Sequence, residues 1–329
     1  MAYRILVFLF FVSISSAFAT EQLYVSSTQD LYKAIKLAHS KPELNRIILE
    51  PGVYQLTHRI VLKRDGLTLT GRKGALSTIL KGKGMKKNQT PEVLIDVMAS
   101  YITISGVTLK NSGNHLIQVR AEHDADFFHL SNCILQDSYE QLLKVSASKA
   151  IGHYSDDGKI ENCVFEYTAG IGPQFYIGGI DAHRANNWLV KNNKFENIAS
   201  PSGGVAEHAI HFWNNSSNNY VVDNIILNSD RGIGFGLGKS QNQGGVIKGN
   251  YIIHTVKNHP YADAGIILES SPDTVIKNNT ILLYHDYPNA IEYRFPSTTN
   301  ISIIQNKTNR KIKKRDGASA YISRNVTLK

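Results

Sequence analysis

Five short segments of this chain set titratable side chains at alternate positions of an apolar pattern. They are Gly178-Gly179-Ile180-Asp181-Ala182-His183-Arg184, His208-Ala209-Ile210-His211-Phe212-Trp213, Arg231-Gly232-Ile233-Gly234-Phe235-Gly236, Ala264-Gly265-Ile266-Ile267-Leu268-Glu269 and Asn289-Ala290-Ile291-Glu292-Tyr293-Arg294. An acid, several imidazoles and a guanidinium in one place suit removal of a proton beside a carboxylate. A cation neutralises that carboxylate, a base working near neutral pH takes the proton, and a second acid serves the leaving oxygen. Arg231 or His208 is the candidate cation, and His183 or His211, oriented by Asp181, the candidate base. Trp213 reads as an exposed platform on which a sugar ring stacks. Tyr176, Arg184, Glu207, Asp230, Glu269, Glu292 and Arg294 are the remaining candidates for substrate contact. The glycine pair Gly234 and Gly236 reads as a floor without side chains, where a ligand approaches the backbone.

Alternation with period two makes each segment a short strand with one buried and one wet face. With Leu116-Ile117-Gln118-Val119-Arg120 and Leu142-Leu143-Lys144-Val145-Ser146 upstream, the aliphatic markers fall at 117, 143, 180, 210, 233, 266 and 291, at intervals of 26, 37, 30, 23, 33 and 25 residues. A supersecondary unit recurring at such intervals signals a solenoid. The wet columns are then Gln118, Lys144, Asp181, His211, Gly234, Ile267, Glu292 and Arg120, Ser146, His183, Trp213, Gly236, Glu269, Arg294. At roughly 4.8 Å per coil, Asp181 is expected about 5 Å from His211 and about 19 Å from Glu292.

The chain of 329 residues opens with Arg4, an apolar run from Ile5 to Val12 and Ala17-Phe18-Ala19. That pattern predicts a cleaved signal peptide at 1–19 and a secreted or periplasmic protein, with one solenoid domain at 20–329. The apolar run is too short to span a bilayer, and no later segment is long enough, so no stable membrane insertion is expected after cleavage. The formal charge of +9 is concentrated at the end: residues 307–329 carry eight Lys or Arg against Asp316 alone. The body is nearly neutral, so the basic balance is weak support for an acidic partner, and the end reads as a solvated basic surface. No motif for nucleic-acid binding or phosphate-loop chemistry is present.

From the amino terminus, Leu23-Tyr24-Val25 reads as a strand and Ser26 to Ser40 as a helix capped by Ser27 or Thr28. Its apolar face is Leu31, Ala34, Ile35 and Ala38. An open solenoid end exposes apolar surface and strand edges, which such a helix would cover. A second repeating strand carries Asn132, Asn162, Asn193, Asn224, Asn250, Asn279 and Asn306, read as a structural stack at one corner. Cys133 and Cys163 share a register in adjacent coils, close enough for a disulfide in an oxidising compartment, with two outward-facing free thiols as the alternative. The variable stretches 146–175, 196–207, 237–245 and 254–263 are loops on a rigid coil, the usual place for substrate contacts.

Ile48-Leu49-Glu50-Pro51-Gly52-Val53-Tyr54, Ile60-Val61-Leu62 and Gly66-Leu67-Thr68-Leu69-Thr70-Gly71, following the helix, resemble the amino-terminal end of pectate-lyase-like proteins. The resemblance implies an all-β, right-handed parallel β-helix with an N-terminal capping helix. Gly179, Asp181 and His183 are similar to the Y-G-F-D-P-H signature of β-helical mannuronan C5-epimerases, departing at Gly178 and Ala182. That family's histidine, tyrosine and aspartate remove and return the C5 proton of a uronate, which implies catalytic roles for Asp181 and His183. Tyr176 is the nearby substitute for the missing tyrosine. From Gly178 onward, "E-H-A-I-H-F-W", "D-R-G-I-G-F-G-L-G" and "Y-P-N-A-I-E-Y-R-F-P" resemble bacterial right-handed β-helix repeat proteins, a likeness that implies the fold without assigning a reaction.

The expected function is action on an acidic, uronate-containing polysaccharide by β-elimination or C5-epimerisation. The alternatives are a non-catalytic glycan-binding or cell-envelope protein and a glycoside hydrolase. The last needs two facing carboxyl groups, and the paired aspartates and Gly-His-Gly of polygalacturonases are absent. Calcium is compatible with Asp181, Glu269 and Glu292, although these are spread over too many coils for one obvious site. Oligomeric state is not legible.

Overall fold

The computed structural model describes residues 21–148, 150, 152–257, 259 and 261–328, so the expected signal peptide lies outside the described residues. Three long parallel sheets of 12, 10 and 11 strands, with a fourth short one of 4, run the length of a right-handed parallel β-helix. Each coil contributes one strand to each long sheet, and the core lies inside the coil. All pairings between named strands are parallel, and from Leu44 onward sequence neighbours sit in different sheets.

The period-two reading places the buried columns correctly. Ile117, Leu143, Ile180, Ile210, Ile233, Ile266 and Ile291 pair in unbroken register along the ten-stranded sheet. The column continues back to Ile95 and Ile60 and forward to Ile312. The seven central members are fully buried, each contributing about 1.5–3 kcal/mol relative to an exposed side chain. The second column, Val119, Val145, Ala182, Phe212, Phe235, Leu268 and Tyr293, is buried beside it.

At the amino end, helix α1 (Thr28–Ser40) is capped by Ser27, whose hydroxyl accepts from the Asp30 amide. Its Leu31, Ala34, Ile35 and Ala38 join the core, so the helix closes the first coil as expected. At the other end the ten-stranded sheet finishes with Lys311–Lys314, whose exposed lysines blunt an otherwise open strand edge.

The asparagine stack is real, but its first two members differ from the expectation. Asn132 and Asn162 are exposed corner residues in the left-handed region, with φ of 53° and 56°. The inward positions of those coils are Cys133 and Cys163, below Asn193, Asn224, Asn250, Asn279, Asn306 and Asn325. Each backbone amide donates to the next side chain: Cys163 N to Asn193 Oδ1, Asn193 N to Asn224 Oδ1, and onward to Asn306 N to Asn325 Oδ1. Corner geometry explains the shift. The left-handed residue turns the chain, and the next one points in. Cys133 and Cys163 are therefore free, buried members of the stack, with Cys133 N facing Cys163 Sγ at 3.4 Å, and neither the disulfide nor the outward thiols are found.

Candidate functional site

The outer face of the ten-stranded sheet holds the candidate residues. Strands Leu143–Ser146, Ile180–His183, His208–Trp213 and Arg231–Phe235 are consecutive neighbours. Register pairs Lys144 with Asp181, Asp181 with His211, His183 with Trp213 and His211 with Gly234. The two outward columns therefore stand in the register that alternation predicts, but Asp181, His211, Ile267, Glu269 and Glu292 in them are buried rather than wet.

Asp181 is the hub. Its carboxylate is only 2% exposed, yet it accepts from Lys144 Nζ on one side and from Trp213 Nε1 at 2.6 Å on the other. His183 Nε2 and His211 Nδ1 lie 3.6 and 3.8 Å from its oxygens. Burial pushes its pKa up, but the Lys144 ammonium, helped by His183 and His211, outweighs this and holds the carboxyl well below its ordinary range. Lys144 also reaches His183 Nε2 at 3.0 Å. An ammonium only donates, so Nε2 accepts and the imidazole proton sits on Nδ1, facing the Asn214 side-chain amide at 3.1 Å. With the Asn214 amide turned so that its oxygen accepts, both bonds are satisfied. Lys144 lay in the predicted wet column without being singled out, because one lysine on a wet face looks like ordinary surface. Its partner's burial, which alternation does not encode, makes it part of the site.

Trp213 is half-buried rather than a free platform. It packs edge-on against His183 at 4.3 Å and stacks on His211 at 5.6 Å, with its N–H spent on Asp181. The glycine floor is also different. A Cβ on Gly234 would meet the His208 ring at 2.6 Å, so that imidazole, not open space, covers it. Gly236, at φ +75°, makes a turn where a Cβ would meet Glu269 O at 1.7 Å.

His208 is fully buried and its ring lies 4.4 Å from that of His211. Burial, then the charges of His211 and Arg231, hold its pKa well below the ordinary histidine value. It is therefore neutral and cannot be the expected cation. His211, also buried, donates from Nε2 to Gly236 O at 3.0 Å and turns Nδ1 towards Glu207 Oε2 at 3.5 Å. Burial pushes its pKa down, and Glu207 with Asp181 more than offsets this, leaving it raised.

The other candidates divide. Tyr176, 38% exposed, lies on the loop before the Asp181 strand; burial, then Asp181 and Glu207, push its hydroxyl up to about 12, so it is a neutral donor. Arg231 is partly exposed and donates to Asp263 at 3.1 Å. Asp230 is buried and accepts from Ser200 N and Ala206 N, which pins the loop before Glu207. Arg184 lies over the Tyr154 ring at 5.9 Å. Glu269, Arg294 and Glu292 do not join the cluster. Glu269 accepts from Arg294 at 2.7 Å and from Gly238 N, and Glu292 from Tyr287, Asn289 and Arg315. Asp181, Glu269 and Glu292 are thus committed to separate partners, and no oxygen cage for calcium forms from them.

Upstream on the same face, Asp96 pairs with Gln118 in register and binds Arg120 through two bonds of 2.6 and 3.0 Å, with Arg59 at 3.2 Å. A cleft of about 350 Å³ lies there, lined by residues including Arg59, Asn114, Gln118 and Arg120. This basic extension was missed because Arg59 and Asp96 precede the segments in which the repeat is easiest to see.

No protein-family model and no curated protein matches the sequence. Solved structures match along nearly the whole chain. An alginate lyase from Paenibacillus sp. str. FPU-7 has a TM-score of 0.60 at 13% identity, covering 91% of this chain and 99% of its own. A mannuronic acid specific polysaccharide family 6 lyase from human gut microbiota has 0.59 at 13%, covering 94% and 83%. A glycoside hydrolase has 0.66 at 9%, covering 92% and 96%. At these identities the likeness is one of fold.

Proposed function

We propose that this protein is an exported carbohydrate-active enzyme that removes the C5 proton of a uronate in an acidic polysaccharide, giving elimination or C5-epimerisation. The observation that carries the reading is the buried Asp181 carboxylate shared by Lys144 and Trp213, with the partly open His183 held beside it at 3.6 Å. A merely solvated face has no reason to bury an acid and spend a tryptophan N–H on it. The lyases among the fold neighbours support a uronate substrate.

In this reading the uronate carboxylate meets Lys144, which shifts its hydrogen bond from His183 Nε2 to the substrate. The freed Nε2 takes the C5 proton, and Asp181 stabilises the resulting imidazolium. Tyr176 is the acid. For elimination the C4–O4 bond breaks, C4=C5 forms and the leaving oxygen takes the Tyr176 proton; for epimerisation a proton returns to C5 from the opposite face. Arg231 on the rim holds a neighbouring acidic sugar. His183, rather than the enclosed His211, is the base because a substrate can reach it. Asp181, already committed to Lys144 and Trp213, is a poor partner for two-carboxylate hydrolysis.

The test is ultraviolet absorbance during incubation with alginate, pectate and glucuronan, with C5 deuterium incorporation read in parallel. Turnover of one polymer that is lost in His183→Ala and in Asp181→Asn is expected. Turnover surviving His183→Ala while Trp213→Ala abolishes it would leave binding rather than proton transfer as the work of this face.

A further inference from the structure

Beside the Asp181 hub, three side chains converge, and the two imidazoles among them keep buried ring nitrogens without a hydrogen-bond partner. One oxygen of Glu207, one nitrogen of His208 and one of His211 all lie within 4.8 Å of one another. His208 is buried and neither of its ring nitrogens has a hydrogen-bond partner, a placement that is costly unless something fills it. His211 donates from Nε2 to the Gly236 carbonyl, and its Nδ1 faces Glu207 Oε2 at 3.5 Å and Asp181 Oδ1 at 3.8 Å. A ring nitrogen set between two carboxylates calls for a positive charge there, a proton or a metal ion.

We propose that Glu207, His208 and His211 bind a divalent transition metal ion of the zinc class. Two imidazoles with one carboxylate are the donor set such ions select, whereas calcium and magnesium prefer oxygen alone. The 3.5 Å between His211 Nδ1 and Glu207 Oε2 is close to the roughly 3.3 Å separating two ligands of a tetrahedral zinc with bonds of about 2.0–2.1 Å. The Nε2–H bond from His211 to a backbone carbonyl is the outer contact that fixes a ligating tautomer. Gly234 contributes by omission, since a Cβ there would strike the His208 ring at 2.6 Å and push it from the cluster. Glu207 is partly exposed, which gives the ion a way in. Three protein ligands leave the fourth position of a tetrahedral zinc to a water or a bound molecule. The site does not depend on the uronate reading, and the two are tested by different readouts.

The experiment uses the whole mature chain, stripped with chelator and titrated with Zn2+ and, separately, Co2+ alone. One equivalent per chain is expected by calorimetry, with Co2+ giving the visible absorption of a low-coordinate nitrogen and oxygen site. Glu207→Gln and His208→Gln should each weaken binding by on the order of 100-fold or more, since even outer contacts cost about 10–100-fold; His254→Asn, outside the cluster, should not. Because a core variant can unfold, the wild type also carries 15N-labelled histidine, and Zn2+ should move the Nδ1 signal of His211. Failure to bind Zn2+ or Co2+ stoichiometrically, preference for Ca2+, unweakened binding in both ligand variants, or an unmoved Nδ1 signal at His211 would each overturn the proposal.

Discussion

Replacing Lys144 with methionine removes the cation from a carboxylate that has almost no contact with water. The Lys144 side chain is 12% exposed and that of Asp181 3%, so the pair belongs to the buried class. There, loss of one partner costs about 3–5 kcal/mol, against about 0–1 kcal/mol for a surface pair. Asp181 keeps the Trp213 N–H and two nearby imidazoles, which places the expected cost near the lower end, about 3 kcal/mol. If about 300 residues unfold together, each kcal/mol lowers the midpoint by roughly 1.6 °C, so Lys144→Met should melt about 5 °C below the wild type. The double variant Lys144→Met/Asp181→Asn, with no buried charge to orphan, should recover most of that loss, a coupling of about 1–3 kcal/mol. Thermal and urea unfolding of all four proteins give the cycle. A single-variant loss under about 1 kcal/mol, or a double variant no better than the sum of the singles, would refute the claim that Asp181 is held ionised by Lys144 inside the fold.

Other consequences are as direct. Asn224→Leu removes the acceptor of Asn193 N and the donor to Val190 O from the middle of the stack, and should cost about 2–4 kcal/mol in urea unfolding; a neutral result would deny the stack a structural role. Gly234→Ala drives a methyl into the His208 ring, so it should lower stability by about 1–3 kcal/mol and weaken Zn2+ binding together, and unchanged values of both would contradict the placement of that ring. Acid should destabilise the fold through buried histidines, His208 and three others. Burial lowers His115 to about 3, and burial, helped by neighbouring imidazoles at His254 and by Arg310 at His285, lowers those two to about 4, from an ordinary 6.5. Below pH 6.5 the unfolded chain takes up protons that the folded one refuses, so stability is full above 6.5 and falls as pH drops towards 4. Urea midpoints across pH 4.5–7.5 should show that slope, with a shallower one in His254→Asn; a midpoint that rose on acidification would reverse the sign.

The fold was legible because a buried strand face repeats with little variation: isoleucine or leucine recurs in every coil of the site sheet, and that column fixes every register that follows. The site was legible to the same extent, since parity alone places Asp181 against His211 and His183 against Trp213. Depth was not. Alternation separates inner from outer positions but does not say how far an outer residue is covered by its neighbours. Trp213 therefore looked solvent-facing, and Lys144 looked ordinary. The one-residue slip in the asparagine stack has a similar origin. In two coils cysteine takes the inward place and asparagine the corner, and both positions tolerate asparagine, for opposite reasons. Loop pairings such as Glu207 with His211 bring together residues that period-two reasoning assigns to different parts of the coil.

The measurement that bears most directly on the account is deuterium exchange at C5, followed by proton NMR on alginate, pectate and glucuronan oligosaccharides in D2O with wild type and His183→Ala. It registers proton removal whether the sugar then eliminates or epimerises. The account predicts loss of the C5 proton signal on one uronate substrate with wild type and its retention with His183→Ala. A C5 signal that persists on every uronate with the folded wild-type protein, while the same sugars bind, would contradict it.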